Sequence, residues 1–294
     1  MDRRKFIAVS AGALAATQIK VKGADLFDKV EDKRLKIRFL GTGAADWKGA
    51  DERGEHRRRS SVLLDDRVLI DFTRDSADMV PEGATPGAVF YTHSHSDHYD
   101  PEAAIALGVR YVYMSATWFD RAFKDFSAAA KKAEKPMPKL IPLTINAPVT
   151  LGDITITACP ANHATSYVME QTLIYLVEKG DARVLYATDT GGIPAVSAVI
   201  SGIDSNPKVP LTGLIMEATN GKDYEIDFRL FTHSSVALVE RTVEVLQKYG
   251  SLDLGDRPVY LTHLARTLHG TQADLDRDLP APLKAAYDGL EIYF

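Results

Sequence analysis

The sequence predicts an α/β chain in which sheets pack together beneath outer helices, and three observations carry that reading. Short β-like runs fall into two groups, with helical stretches between and after them. No internal linker, low-complexity tract or short-period repeat interrupts residues 34–294, so they read as one domain. Candidate polar side chains sit just beyond the ends of apolar runs, which puts chemistry on loops held by a rigid scaffold.

The elements follow in order. Lys36 to Leu40 alternates and stops at Gly41-Thr42-Gly43, a strand and a glycine turn. A charged loop from Asp51 to Arg59 precedes two short strands, Ser61 to Leu64 and Val68 to Asp71. Ala88 to Tyr91 is the apolar end of a buried strand. Pro101 to Leu107 predicts a short helix and Arg110 to Met114 a strand. Trp118 to Lys135 predicts a helix with Phe119, Phe123 and Phe126 along one side, ended by Pro136-Met137-Pro138. Leu140-Ile141, Val149 to Leu151 and Ile154 to Thr157 carry β signals. Thr172 to Val177 pairs with Arg183 to Tyr186 across Lys179-Gly180-Asp181. Pro194 to Ser201 predicts a helix, Leu211 to Met216 a strand, and Ser234 to Tyr249 an amphipathic helix ended by Gly250. Val259 to Leu261 is a strand, Gln272 to Ala286 reads as mostly helical, and Glu291 to Tyr293 is a last strand.

Composition narrows the function. The 294 residues are 45% hydrophobic and 26% charged, with a formal net charge of -5, which argues against general nucleic-acid binding. A single cysteine, Cys159, excludes an internal disulfide framework and a thiolate-rich zinc site. No apolar run approaches the ~20 residues needed to cross a bilayer. A homodimer stays open. Residues 1–30 stand apart: Met1-Asp2-Arg3-Arg4-Lys5 is basic, Phe6 to Ala16 is small and apolar, and Lys20 and Lys22 follow. That is the layout of an export signal, and Arg3-Arg4-Lys5-Phe6-Ile7 resembles the twin-arginine type, which implies a periplasmic protein. If the segment is instead an unstructured basic terminus, the protein stays in the cytoplasm.

The densest chemistry lies in Thr92-His93-Ser94-His95-Ser96-Asp97-His98. Imidazole and carboxylate are ligands that zinc, manganese and iron accept. His93 and His95 can point one way from extended backbone, whereas Asp97 and His98 must turn toward another point, which suggests a second metal. His163 follows the run Ile154 to Cys159, Asp189 follows Val184 to Tyr186, and His263 follows Val259 to Leu261. Strand ends facing one edge would bring these side chains together.

THSHSDH, ANH ending at His163, ATDTGG with Asp189 and LTH with His263 together resemble the metallo-β-lactamase superfamily. The resemblance covers nearly everything after residue 34. It implies a four-layer αβ/βα sandwich, the metallo-β-lactamase fold, with two divalent metal ions, zinc or manganese, at the edge between the sheets. On it, His93, His95 and His163 hold the first metal, Asp97, His98 and His263 hold the second, and Asp189 bridges them. Family members that hydrolyse β-lactams commonly have a cysteine ligand where Asp189 stands here. Gly41-Thr42-Gly43, Arg58-Arg59-Ser60-Ser61, Met216-Glu217-Ala218-Thr219 and Thr232-His233-Ser234-Ser235 resemble the phosphodiesterase branch, which includes tRNA 3′-end nucleases and cyclic-phosphate diesterases. Met216 stands where the tRNA nucleases have histidine, and no long basic arm is present, so a small-molecule substrate is expected.

The expected chemistry is hydrolysis of a small, even cyclic, phosphodiester. A water shared by two cations loses its proton near neutrality and supplies hydroxide. Asp97 orients that water or takes its proton, and His233 donates to the leaving alkoxide. Glu217 fixes the tautomer of a ligand imidazole. Arg58, Arg59 and Arg266 are candidate substrate contacts, because guanidinium forks match phosphate oxygens. Tyr113, Trp118, Phe119 and Phe123 offer either a pocket wall or plain core. The same site would serve a lactone, ester or thioester, and a metal-free protein of this fold would be a binding module.

Overall fold

Why the strands read as unbroken apolar runs is explained by where they lie, with both faces covered. The computed structural model describes residues 32–204 and 209–294, together with the two-residue strand β1 (Ile19–Lys20). The export signal expected within residues 1–30 therefore lies outside the described residues, apart from β1, which pairs in parallel with Val149 and Thr150.

The first sheet is built from β2 (Lys36–Gly41), β3 (Ser61–Leu64), β4 (Val68–Ile70), β5 (Ala88–Phe90), β6 (Tyr111–Ser115) and β7 (Lys139–Leu143), closed by β15 (Glu291–Tyr293) beside β2. The second holds β8 (Pro148–Leu151), β9 (Ile154–Pro160), β10 (Leu173–Lys179), β11 (Ala182–Ala187), β12 (Gly213–Glu217), β13 (Val259–Thr262) and β14 (Leu283–Ala285), with β1 at its edge. α1 (Pro101–Leu107) and α2 (Phe119–Ala133) belong to the first half, and α3 (Ala195–Ile200), α4 (Val236–Lys248) and α5 (Gln272–Asp278) to the second.

Alternation along each strand assigns the layers. Phe90 and Tyr175 pack between the sheets, whereas Val89 joins Trp118 and Phe126 beneath α2. Ile174 and Leu185 point the other way, toward Val239 and Val243 of α4. The result is helix, sheet, sheet, helix, the four-layer sandwich expected. Tyr113 stacks on Phe90 at 4.2 Å in the inter-sheet core and Trp118 is buried, while Phe123 is half exposed, so the aromatic pocket wall is not formed.

Two stretches depart from expectation. The helix beginning at Gln272 stops at Asp278 and gives way to β14, because Pro280 and Pro282 remove donors that a helix needs. A 3₁₀ turn at Arg74–Met79 carries no strong sequence signal. Among the described residues no helix is long and apolar enough to cross a membrane.

Beyond β13, His269 is partly buried and its Nε2 lies 2.7 Å from the carbonyl oxygen of Ala218. Burial, aided by the nearby Arg57 charge, lowers its pKa from 6.5 to about 4. Above pH ~6.5 both folded and unfolded chains are neutral here and stability is full. As pH falls toward ~4 only the unfolded chain takes the proton, so roughly 3 kcal/mol is lost across that window. His269→Gln, which keeps a donor for Ala218, should flatten this part of a melting-temperature profile; an unchanged profile would show that His269 does not contribute.

Candidate metal centre

β9, β11, β12 and β13 run in one direction, since β9 and β11 are each antiparallel to β10 and β12 and β13 are parallel to β11. Their C-terminal ends share one edge, and His163, Asp189, Glu217 and His263 lie at or just past those ends. β5 delivers the His93–His98 segment from the other sheet. That segment turns back on itself, with the amides of His98 and Tyr99 both donating to the His95 carbonyl at 3.0 and 2.9 Å. Three site residues sit at positive φ without being glycine: Asp71 at 54°, Asp189 at 46° and His263 at 54°. Such backbone is costly and persists where surrounding structure enforces it.

The donor atoms converge as two groups. His95 Nδ1 lies 3.0 Å from His93 Nε2 and 3.2 Å from His163 Nε2. His98 Nε2 lies 3.3 Å from His263 Nε2 and 3.3 Å from Asp97 Oδ2. Asp189 Oδ2 closes the second group, 2.6 Å from His98 Nε2 and 3.3 Å from His263 Nε2. It makes no hydrogen bond to the protein despite complete burial.

The opposite nitrogens show which protons are where. Thr92 gives its hydroxyl proton to Asp71, so its oxygen accepts from His93 Nδ1 at 2.9 Å. His98 Nδ1 donates to Asp71 Oδ2 at 2.7 Å, and His163 Nδ1 to the Thr232 carbonyl at 3.1 Å. Thr219 gives its hydroxyl proton to Glu217 and accepts from His263 Nδ1 at 2.8 Å. With these protons placed, the inward nitrogens of His93, His163 and His263 present lone pairs, while that of His98 faces the Asp189 and Asp97 carboxylates. Four ligands about 2.0–2.1 Å from a tetrahedral cation stand roughly 3.3 Å apart, and the spacings above, 2.6 to 3.3 Å, lie at or below that value.

Charge agrees with that picture. Burial pushes the His93 imidazole well below the ordinary histidine range and His95 below it, so both are neutral. Burial alone would raise the carboxyls of Asp97 and Asp189, but the neighbouring imidazoles, His98 above all for Asp97 and His263 for Asp189, hold them well below the usual range. Neutral imidazoles and ionised carboxylates are the forms that bind metal. His98 is the exception: burial opposes its charge, yet Asp189, Asp97 and Asp71 outweigh it and raise its pKa well above the ordinary histidine range, so a cation bound there would take the place of its proton. Burial also works against charge on His233, yet Glu217 and Asp189 outweigh it and raise its pKa to about 9.

A cleft of about 220 Å³ opens over these atoms, lined by His95, Asp97, His163, Asp189, His233 and His263, with Asp46, Thr219 and Arg229 among its walls. His233 holds its Nδ1 3.1 Å from the Glu217 carboxylate, and its Nε2 has no hydrogen-bond partner among the described residues. Glu217 therefore touches His233 directly and reaches His263 through the Thr219 hydroxyl.

The expected arginine contacts are not at the cleft. Arg58 is paired with Asp78 and, at 3.6 Å, with Asp288, because these acids lie beside the strand that follows it. Arg59 reaches the Ser96 carbonyl from the far side of the histidine segment at 3.2 Å. Arg266 is held by Asp46 through its amide at 2.9 Å and turns its guanidinium to Glu52. Arg229 takes the place expected of them. Sequence reasoning assigned no role to Asp71, Thr92, Thr219 or Arg229: Thr92 and Thr219 fall inside quoted motifs, Asp71 shows only as an acid closing a strand, and Arg229 carries no signal.

Residues 67–264 match the family described as the β-lactamase superfamily domain. A search of curated protein sequences finds no match. Among solved structures, the metallo-β-lactamase fold protein YhfI from Bacillus subtilis is 18% identical with a TM-score of 0.62, over 89% of this chain and 100% of that one. Human tRNase Z, short form, is 15% identical at 0.61, over 87% and 98%. Zn²⁺-bound PqqB from Methylobacterium extorquens is 16% identical at 0.60, over 87% and 99%. With two sheets between helices and histidine and aspartate donors gathered at one strand edge, the chain belongs to the β-lactamase superfamily, as a metal-dependent hydrolase.

Proposed function

We propose that the protein is a dinuclear hydrolase of small-molecule phosphodiesters. One observation carries this reading: the outward nitrogens of His93, His98, His163 and His263 are each satisfied by oxygen, so the inward ones point at common centres. His93, His95 and His163 would hold one cation, Asp97, His98 and His263 the other, and Asp189 would serve both. Divalent cations bound there supply polarisation of a phosphoryl group and acidification of water, the two requirements for hydrolysis near neutral pH.

The chain's own residues do the rest. Asp97 lines the cleft with a carboxylate free to hold the attacking water by a hydrogen bond. His233, fixed through Nδ1 by Glu217, presents Nε2–H to the departing alkoxide. His233 also belongs to two groupings of donor atoms within 4.8 Å, with His163 and Asp189 and with Glu217 and His263. Its Nδ1 lies 3.3 Å from Asp189 Oδ1 and is already paired with Glu217, which favours the acid role over ligation.

Elemental analysis of purified protein, joined to turnover of bis(p-nitrophenyl) phosphate against a lactone and thioester panel with zinc or manganese added, tests this reading. Two metals per chain and phosphodiester turnover are expected. Lactone turnover alone would transfer the site to acyl chemistry, and metal content near zero would leave a binding protein. His233→Ala should keep both metals yet lose about a hundredfold in kcat; unchanged turnover removes His233 from the mechanism.

A further inference from the structure

Two segments leave the metal cleft carrying large apolar side chains into solvent. On the loop after His163, Val168 is 92% exposed and Met169 is 72% exposed. On the segment between β12 and α4, Ile226 is 98%, Phe231 80% and Phe228 75% exposed. Single exposed apolar residues are ordinary, but five on two segments are not. Both segments are anchored at the centre. Glu170 closes the first by accepting from the Ser94 amide and hydroxyl, each at 2.6 Å, beside His95. The second ends at Thr232, whose carbonyl holds His163, and at His233.

Between the two phenylalanines, Arg229 turns inward to the cleft wall. Its guanidinium lies 5.5 Å from the Phe228 ring centre, with Asp227 no nearer than 3.8 Å. Its Nη1 is buried and has no hydrogen-bond partner among the described residues. A buried cationic N–H without an acceptor is costly, and the guanidinium fork suits a phosphate oxygen. A charged group in the cleft wall and two exposed aromatic rings thus stand on one short segment that runs into His233.

We infer that Arg229 binds an anionic oxygen of the substrate while Phe228, Phe231 and the Val168–Met169 loop, whose segments meet where His163 is held by Thr232, hold a large apolar ester group of the same molecule. The substrates are then amphiphilic phosphodiesters. This inference rests on the hydrolase reading above. In the reaction the oxygen of water bonds to phosphorus, one ester P–O bond breaks, the departing alcohol carries off a proton, and a phosphate monoester remains.

The test compares dodecyl p-nitrophenyl phosphate with methyl p-nitrophenyl phosphate on the metal-loaded protein, below micelle-forming concentrations. The dodecyl ester should show a kcat/KM at least about tenfold higher. In Phe228→Ser/Phe231→Ser that ratio should fall to about one; both rings are mostly exposed, so the fold is little affected. Arg229→Gln should raise KM for both esters more than it lowers kcat, and Arg229→Lys should recover part of the loss. Calorimetry with dodecyl phosphate and methyl phosphate reads binding without turnover, with tighter dodecyl binding expected. Equal kcat/KM for the two esters, or a ratio that survives the double substitution, overturns the inference. Should neither ester be turned over by metal-loaded protein, the hydrolase reading falls, and equal calorimetric affinities would then overturn the apolar rim independently.

Discussion

Asp189→Asn is expected to lose one or both metals and at least about a hundredfold in phosphodiester turnover. Altering groups that only support a ligand costs about 10–100-fold, and Asp189 is placed to be a ligand itself. Its Oδ2 faces His98 and His263 at 2.6 and 3.3 Å, while its Oδ1 is 3.3 Å from His233 Nδ1. Its carboxyl and that of Asp97 are both held well below the usual range by neighbouring imidazoles. Asparagine is the informative replacement because it tolerates the residue's positive φ of 46°, so the backbone is spared and the lost charge is what is measured. Metal content by elemental analysis, beside the rate, decides the matter. A variant that kept two metals and full turnover would remove Asp189 from the centre.

Asp71→Asn should have the next largest effect, although Asp71 points at no metal. Its carboxylate is fully buried and accepts three hydrogen bonds, from the Thr92 amide and hydroxyl at 2.8 Å each and from His98 Nδ1 at 2.7 Å. An amide nitrogen in place of Oδ2 would donate where two donors already point. His98 would have to move its proton to Nε2, the atom needed by a cation. Affinity at the Asp97–His98–His263 group should fall about 10–100-fold while the other group changes less. Stability should drop by about 1–3 kcal/mol for each donor left unpaired. Chelator competition resolves the two affinities, and a thermal melt in excess chelator reads the stability term alone. Equal loss at both groups would mean that Asp71 supports the fold and not His98.

Local chemistry explains what was legible before any fold was known. β3, β15 and α1 fall where apolar runs, glycine turns and a proline after an acid place them, because burial on both faces or a capped first turn leaves a local signature. The seven donors were legible for the same reason, each following an apolar run. Asp71 and Thr219 were not, since an acid or a threonine at a strand end is common and its meaning lies in a partner 27 or 44 residues away. Arg58, Arg59 and Arg266 illustrate the converse: a basic cluster is conspicuous in sequence, but its acid partners are chosen only when strands pair.

By itself the sequence determined the donor types, the family and the order of strands and helices up to α5, the 3₁₀ turn at Arg74–Met79 excepted, because periodicity and ligand chemistry are written in neighbouring residues. The tertiary structure decided which nitrogen of each histidine turns inward, that Glu217 acts through Thr219, and that Arg229 faces the cleft. Those outcomes depend on hydrogen bonds between distant segments, and their energies are settled only when two sheets close on a common edge and exclude water from it.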